Sequence, residues 1–252
     1  LTDSQAEELN KSFDILLEEV SKDESTGKTR GVYLTITNAA IMGGPILITL
    51  AGGQNNFKDL YILSAFFLIP IFLLMTFWLR SNRGMEKYLP ISLPFSTWKE
   101  LTNVRGVTVA RGVLELFFAI MVIFVPIYLN KTIGFSWTEI GGIFTFMLLP
   151  FVLFEWPAGE LADKRYGEKE IMFSGFVILI LSVLIMPYLG DNLIIWAIIL
   201  FVSRIGASLI EITTDSYFFK QIGPHHVGLI SIFRLGRPAG LMIGSLVGAV
   251  VT

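Results

Sequence analysis

The stretch EWPAGELADKRYG, residues 155–167, carries five charged side chains (Glu155, Glu160, Asp163, Lys164 and Arg165) at the end of one long apolar run, 138–160, and before the next, 171–189. The hydrocarbon core of a bilayer, ~30 Å thick, takes about 20 apolar residues as a helix. Each run is therefore long enough to span a membrane, and the charged stretch closes the first span and enters the loop 161–170 between them. Outward from this loop, five more runs meet the same length requirement: 31–52, 57–79, 106–129, 193–213 and 228–251. The runs are continuously apolar and do not alternate, so they predict helices and not the strands of a barrel. The composition agrees. Of 252 residues, 53% are apolar and 16% charged, with mean hydropathy +0.67, far above the needs of one soluble core.

The spacers between the spans alternate in character. Residues 1–30, 80–105, 161–170 and 214–227 are long or charged, and 53–56, 130–137 and 190–192 are short. Thirteen of the 19 Lys and Arg lie in the first group; only Lys131 and the bordering Lys58 lie in the second. Positive charge stays inside, which places residues 1–30 and the 80–105 loop in the cytoplasm and the chain in the cell membrane. Trp78, Trp137, Trp156 and Trp196 fall near span ends, where amphipathic rings suit the headgroup layer. Residues 4–20 have a helical apolar stripe (Leu9, Phe13, Leu16, Leu17) and are too polar to cross. Ser136-x-x-Glu139 reads as a capping box opening the fourth span. Pro90 and Pro94 mark the longest break, so the expected organisation is a cytoplasmic segment 1–30, two helices in 31–79, a central loop 80–105, and a five-helix bundle in 106–252. No charged-then-apolar leader follows Leu1, and the apolar run 244–252 has no polar tail. The chain is therefore expected to be an internal fragment without a signal peptide.

Within the 155–167 loop, Gly159 permits close helix approach, Asp163 can accept hydrogen bonds from a helix N-terminus, and Lys164 and Arg165 suit anionic lipid or a carboxylate. Gly159, Leu161, Ala162, Asp163 and Lys164 resemble the loop signature of the major facilitator superfamily (MFS). There are two departures: Gly167 comes one residue late, and Glu168 stands in place of a basic residue. The plainer reading is a charged turn, but the span pattern favours the signature. The resemblance implies an all-α membrane protein, an MFS-like helical bundle, with seven of twelve helices present. In that register the chain corresponds to about helices five to eleven, and the loop follows helix eight. It further implies that Asp163 sits at the N-terminus of the first span near Arg30-Gly31, locking two bundles in one state. Gly236, Gly240, Gly244 and Gly248 recur every fourth residue, a stripe that lets another backbone approach; in the family, helix eleven packs across the interface between bundles. Gly31, Ala40 and Gly44-Pro45 partly resemble the antiporter signature of helix five, but Ile48 and Thr49 stand where its closing glycines belong. A small-residue packing face, including Gly44 and Pro45, is the preferred reading there.

Charges inside spans are expensive and are usually paired or functional. Glu115 lies ~14 Å from one edge of its span and Arg204 ~16 Å from the other edge of its own, which brings them to one level. In the family register both helices line the central cavity, so the two are expected to face it and to pair, for a substrate or as a structural ion pair. Arg111 is four residues from Glu115, Glu211 is seven from Arg204, and Asp215 is four from Glu211. Arg111, Glu211 and Asp215 are expected nearer the cytoplasmic mouth, guiding a charged substrate or forming a gate. Asn38 reads as an interhelical hydrogen-bond group, Glu155 as a side chain reaching water, and Arg234 and Arg237 as snorkelling to the cytoplasmic face.

Several function classes drop out. The chain has no cysteine, hence no disulfide framework and no thiolate chemistry. Its net charge of −2 offers no footprint for nucleic acid. His225-His226 have no nearby ligand partners, so no metal and no cofactor are expected. Gly-x-Ser-x-Gly, His-Glu-x-x-His and a nucleotide-binding glycine loop are all missing from the sequence. The expected function is a secondary active transporter, not an enzyme, moving a small solute by alternating access. The lipid bilayer, a small-molecule solute and a coupling proton or cation are its expected partners, and the full-length protein is expected to be a monomer. The alternatives are a multi-pass membrane enzyme, or a sensor or scaffold that does not transport.

Overall fold

The computed structural model describes residues 25–50, 62, 65–66, 68–70, 72–73, 102–222 and 227–251. The expected helix at 4–20, most of the span at 57–79, residues 80–101 and His225-His226 lie outside the described residues. Two compact units divide the chain, residues 1–39 with 93–252, and residues 40–92. In the second unit the described positions between 62 and 73 are helical. All the side chains of the site belong to the first.

The described residues are almost wholly helical: α1 Thr26–Leu50, α2 Thr102–Tyr128, α3 Trp137–Leu161, α4 Glu168–Ile185, α5 Leu193–Gln221, α6 Val227–Arg234 and α7 Gly236–Val251. Five stretches among them are long and apolar enough to cross a membrane: 102–133, 137–166, 168–188, 193–221 and 229–247. Local chemistry sets their ends. The capping box at α3 forms, with Ser136 Oγ accepting from Glu139 N–H and Glu139 Oε2 accepting from Ser136 N–H at 2.8 Å. Asn192 Oδ1 accepts from the N–H groups of Ile194 and Ile195 to open α5. Helix α3 is followed by a π-turn over Ala162–Tyr166, closed by Gly167 N–H donating to Ala162 O at 3.1 Å. A π-turn holds one residue more than an α-turn. The late glycine of the signature is thereby accommodated, and Gly167 has the positive φ (82°) that favours glycine.

Some boundaries differ from the sequence reading. Helix α5 runs eight residues beyond the expected end at 213, because nothing interrupts the helix before Gly223-Pro224 and because Thr213, Thr214, Asp215 and Ser216 are buried there. Helix α2 starts at Thr102, four residues before the expected span. The last span is two helices that meet at Leu235: Pro238 has no N–H to donate to Arg234 O, and the ladder weakens at that turn. Trp196 lies three residues into α5 and is buried, with its indole N–H on Gly190 O at 2.8 Å, whereas Trp137 and Trp156 are exposed.

Helix α5 is the centre of the fold, packed along both α3 and α4, and α7 packs along α2. Three apolar clusters stack along it. One end holds Met121, Leu129, Ile140, Met147, Trp196 and Leu200; the middle holds Leu114, Phe151, Leu179, Ala207 and Ile210; the other end holds Val104, Val107, Phe218, Phe219, Leu229 and Phe233. The buried charges lie between and beside these layers.

Candidate functional site

Helix α1 approaches α3 so closely that only glycine fits. A Cβ on Gly159 would run into the carbonyl of Gly27, and one on Gly31 would stand 2.8 Å from Glu155 O. This contact puts the first turn of α1 beside the 162–166 turn. There Asp163 accepts from Gly27 N–H at 3.1 Å and Lys28 N–H at 2.7 Å. The free N–H groups and the positive end of the helix dipole make that position favourable for a carboxylate, by roughly 0.3–2 kcal/mol. The contact falls at Gly27 and Lys28, about one turn before Arg30-Gly31. Lys220, from the last turn of α5, reaches Asp163 Oδ1 at 2.7 Å and also pairs with Glu168. Glu168, the departure from the basic residue of the signature, thus shares the Lys220 cation with Asp163. Lys164 turns away and pairs with Glu160 one helical turn back, and Arg165 lies over the Tyr166 ring at 5.4 Å.

A second layer of charge is buried deeper. Asp215 has no exposed surface; its Oδ2 takes Arg30 Nη1 at 3.1 Å and its Oδ1 faces Arg234 Nη2 at 3.3 Å. The Arg30 guanidinium lies 3.2 Å over the Phe219 ring, and Arg234 stands 5.9 Å and 5.8 Å over Phe219 and Phe233. One carboxylate from α5 therefore ties α1 to α6. Arg234, read from the sequence as snorkelling, is half-buried and has the buried Asp215 as a partner. Arg237 is exposed.

The third layer corrects the expected pair. Glu115 does not meet Arg204. Its Oε1 accepts from Arg111 Nε at 2.8 Å and lies 2.8 Å from Arg111 Nη2, which donates to Glu211 Oε1 at 2.9 Å. The i, i+4 spacing of Arg111 and Glu115 makes the local pair cheaper in conformational entropy than a pairing across helices. Arg204 lies instead over the rings of Phe117 and Phe118, at 5.2 Å and 5.4 Å.

Glu155 is fully buried and does not reach water. Its Oε1 accepts from Asn38 Nδ2 at 2.8 Å, which leaves Oε2 without a hydrogen-bond partner. Asn38 is thus the interhelical group its polarity implied, with Glu155 as its partner. Of the glycine stripe, Gly240 and Gly244 press against Glu115 and Ala119 of α2, while Gly236 has open space where a Cβ would stand. The described stripe therefore packs against α2. Gly44, Pro45 and Gly248 lie in helical backbone, their side-chain surroundings outside the described residues.

Arg30, Glu155, Glu168 and Lys220 join the site although none stood among the candidates. Arg30 had a weak signal, a base immediately before an apolar run, and Lys220 another, the single base of its spacer. Among the described residues no group of three or more metal-ligating side chains exists.

The sequence pattern described as Major Facilitator Superfamily matches residues 12–245. No curated protein sequence matches the chain.

Proposed function

The chain belongs to the major facilitator superfamily, a family of small-solute membrane transporters, and we propose that it works as a secondary transporter by alternating access. In this reading α1 belongs to one bundle and α2–α7 to the other. The contacts at the first turn of α1 are then a releasable latch that closes the cytoplasmic side. The observation that carries the proposal is the double tie on one helical turn: Asp163 on the N–H groups of Gly27 and Lys28, and Asp215 on Arg30. Both ties are ionic or dipolar and cross helices, so both can be exchanged for water without unravelling a helix. The small Gly27–Gly159 crossing gives the helices a smooth surface on which to part. Bundles that rock about a midplane site need contacts of this kind at each mouth. Arg111, Glu115, Glu211 and Arg204, deeper along α2 and α5, would line the solute path, and a coupling proton or cation would use the same carboxylates.

The test is a pulsed electron-resonance distance measurement on the full-length protein in lipid nanodiscs, with spin labels replacing the exposed Lys28 and Arg165. Two distance populations are expected, short when latched and long when open. Asp163→Asn, which weakens the cap and the Lys220 contact, is expected to enlarge the long population. A single short distance that survives both Asp163→Asn and every tested solute would overturn the gating role.

A further inference from the structure

Among the described residues, the buried cations near the site have carboxylate partners with one exception. Arg30 shares Asp215 with Arg234, and Arg111 is held between Glu115 and Glu211. Arg204 is only 2% exposed and makes no ion pair, and its Nε and Nη1 have no hydrogen-bond partner. Its neighbours are the faces of Phe117 and Phe118. Ring faces attract a cation through their quadrupole but leave its N–H donors unused. Glu211 lies on the same face of α5, seven residues on, yet its carboxylate is turned to Arg111. The serines on either side do not help, since Ser203 and Ser208 donate to carbonyls of their own helix.

A guanidinium placed this way lacks two things, a negative charge and a planar pair of acceptor oxygens. Carboxylate and phosphate supply both, through paired N–H···O bonds. A hydroxyl of a neutral solute would satisfy one donor and leave the charge uncompensated, and a cationic solute would be repelled. Arg204 lies eleven residues into α5, ~16 Å from its start, the depth at which a midplane site is reached. We propose that Arg204 is the receptor for an anionic group, a carboxylate or phosphate, on the transported solute; this rests on the transporter reading above.

Two readouts on the full-length protein separate the two ideas. The first is the midpoint of thermal unfolding in detergent with inorganic phosphate, succinate or lactate, each against chloride at matched ionic strength. The second is uptake of the same three anions by proteoliposomes, with glucose and choline as neutral and cationic comparators. At least one anion is expected to raise the midpoint and to be taken up; which one distinguishes phosphate from carboxylate. Arg204→Gln is expected to abolish that rise and to cut uptake of the anion about tenfold or more. Arg204→Lys, which keeps the charge but loses the planar fork, is expected to retain part of both. Without ligand, Arg204→Gln should be at least as stable as the parent, because it removes an uncompensated buried charge. The proposal is overturned if Arg204→Gln lowers the ligand-free midpoint and no anion shifts the parent, since the guanidinium would then be paired within the protein. Uptake of glucose or choline with no response to anions also overturns it, while leaving the transporter reading intact. An anion shift that Arg204→Gln abolishes, with no flux of any solute, supports the site and overturns transport.

Discussion

Arg111 and Arg204 show how differently two buried guanidinium groups can be treated on facing helices. A charge of this kind at mid-bilayer costs ~2.5–3.5 kcal/mol on insertion scales. Arg111 offsets the cost with two carboxylates at 2.8 and 2.9 Å. Removing the shared cation leaves Glu115 and Glu211 facing each other without compensation, whereas removing one carboxylate leaves Arg111 the other. Arg111→Ala is therefore expected to lower stability by about 3–5 kcal/mol, the usual cost of stripping one partner from a buried ion pair, and Glu115→Gln by clearly less. Unfolding in detergent, followed by tryptophan fluorescence, checks the ranking; equal losses would mean that Glu211 does not share the charge. The Arg111–Glu115 pair was legible in the sequence because four residues along a helix is one turn. The Arg234–Asp215 pair was not, since the two lie 19 positions apart on different helices.

At the scale of elements, glycines decide which helices touch. Gly159 meets the backbone of Gly27, and Gly175 on α4 meets the carbonyl of Gly206 on α5. The obstacle in both places is backbone, which cannot swing aside as a side chain can. Gly159→Val is therefore expected to push the first turn of α1 off α3. It should lengthen the Lys28–Arg165 label distance as Asp163→Asn does, although it changes no charge. An unchanged short distance in Gly159→Val would show that the close approach is not what seats α1. The π-turn at 162–166 belongs to the same scale. By taking one extra residue it sets Gly167 where its positive φ is needed and leaves Glu168 at the head of α4, where Lys220 reaches it. Two departures from the family signature thus become one local rearrangement.

For the whole molecule, the alternation of positive charge along the chain predicts its direction across the membrane. Lys131, after α2, and Lys164, after α3, are both exposed and are separated by one span. The chain contains no cysteine, so Lys131→Cys and Lys164→Cys are easily read with an impermeant maleimide on intact cells. Lys131→Cys is expected to label directly and Lys164→Cys only after permeabilisation. Labelling of both from the same side would overturn the topology and with it the assignment of the latch to the cytoplasmic mouth.

What the sequence determined by itself was everything that depends on near neighbours along the chain: the apolar lengths that make spans, the capping box at Ser136, the one-turn spacing of Arg111 and Glu115, and the signature around Asp163. Membrane length, helix period and capping are local constraints, and each is met within a few residues. The tertiary structure alone decided who partners whom. It gave Asp215 to Arg30 and Arg234, buried Glu155 against Asn38, and left Arg204 over phenylalanine rings and not on Glu115. The physical reason is that an ion pair depends on the rotation and approach of two helices, which glycine contacts and packed layers set, while sequence spacing specifies only depth. Two residues read at one depth need not meet: Glu115 takes Arg111, and Arg204 lies over Phe117 and Phe118.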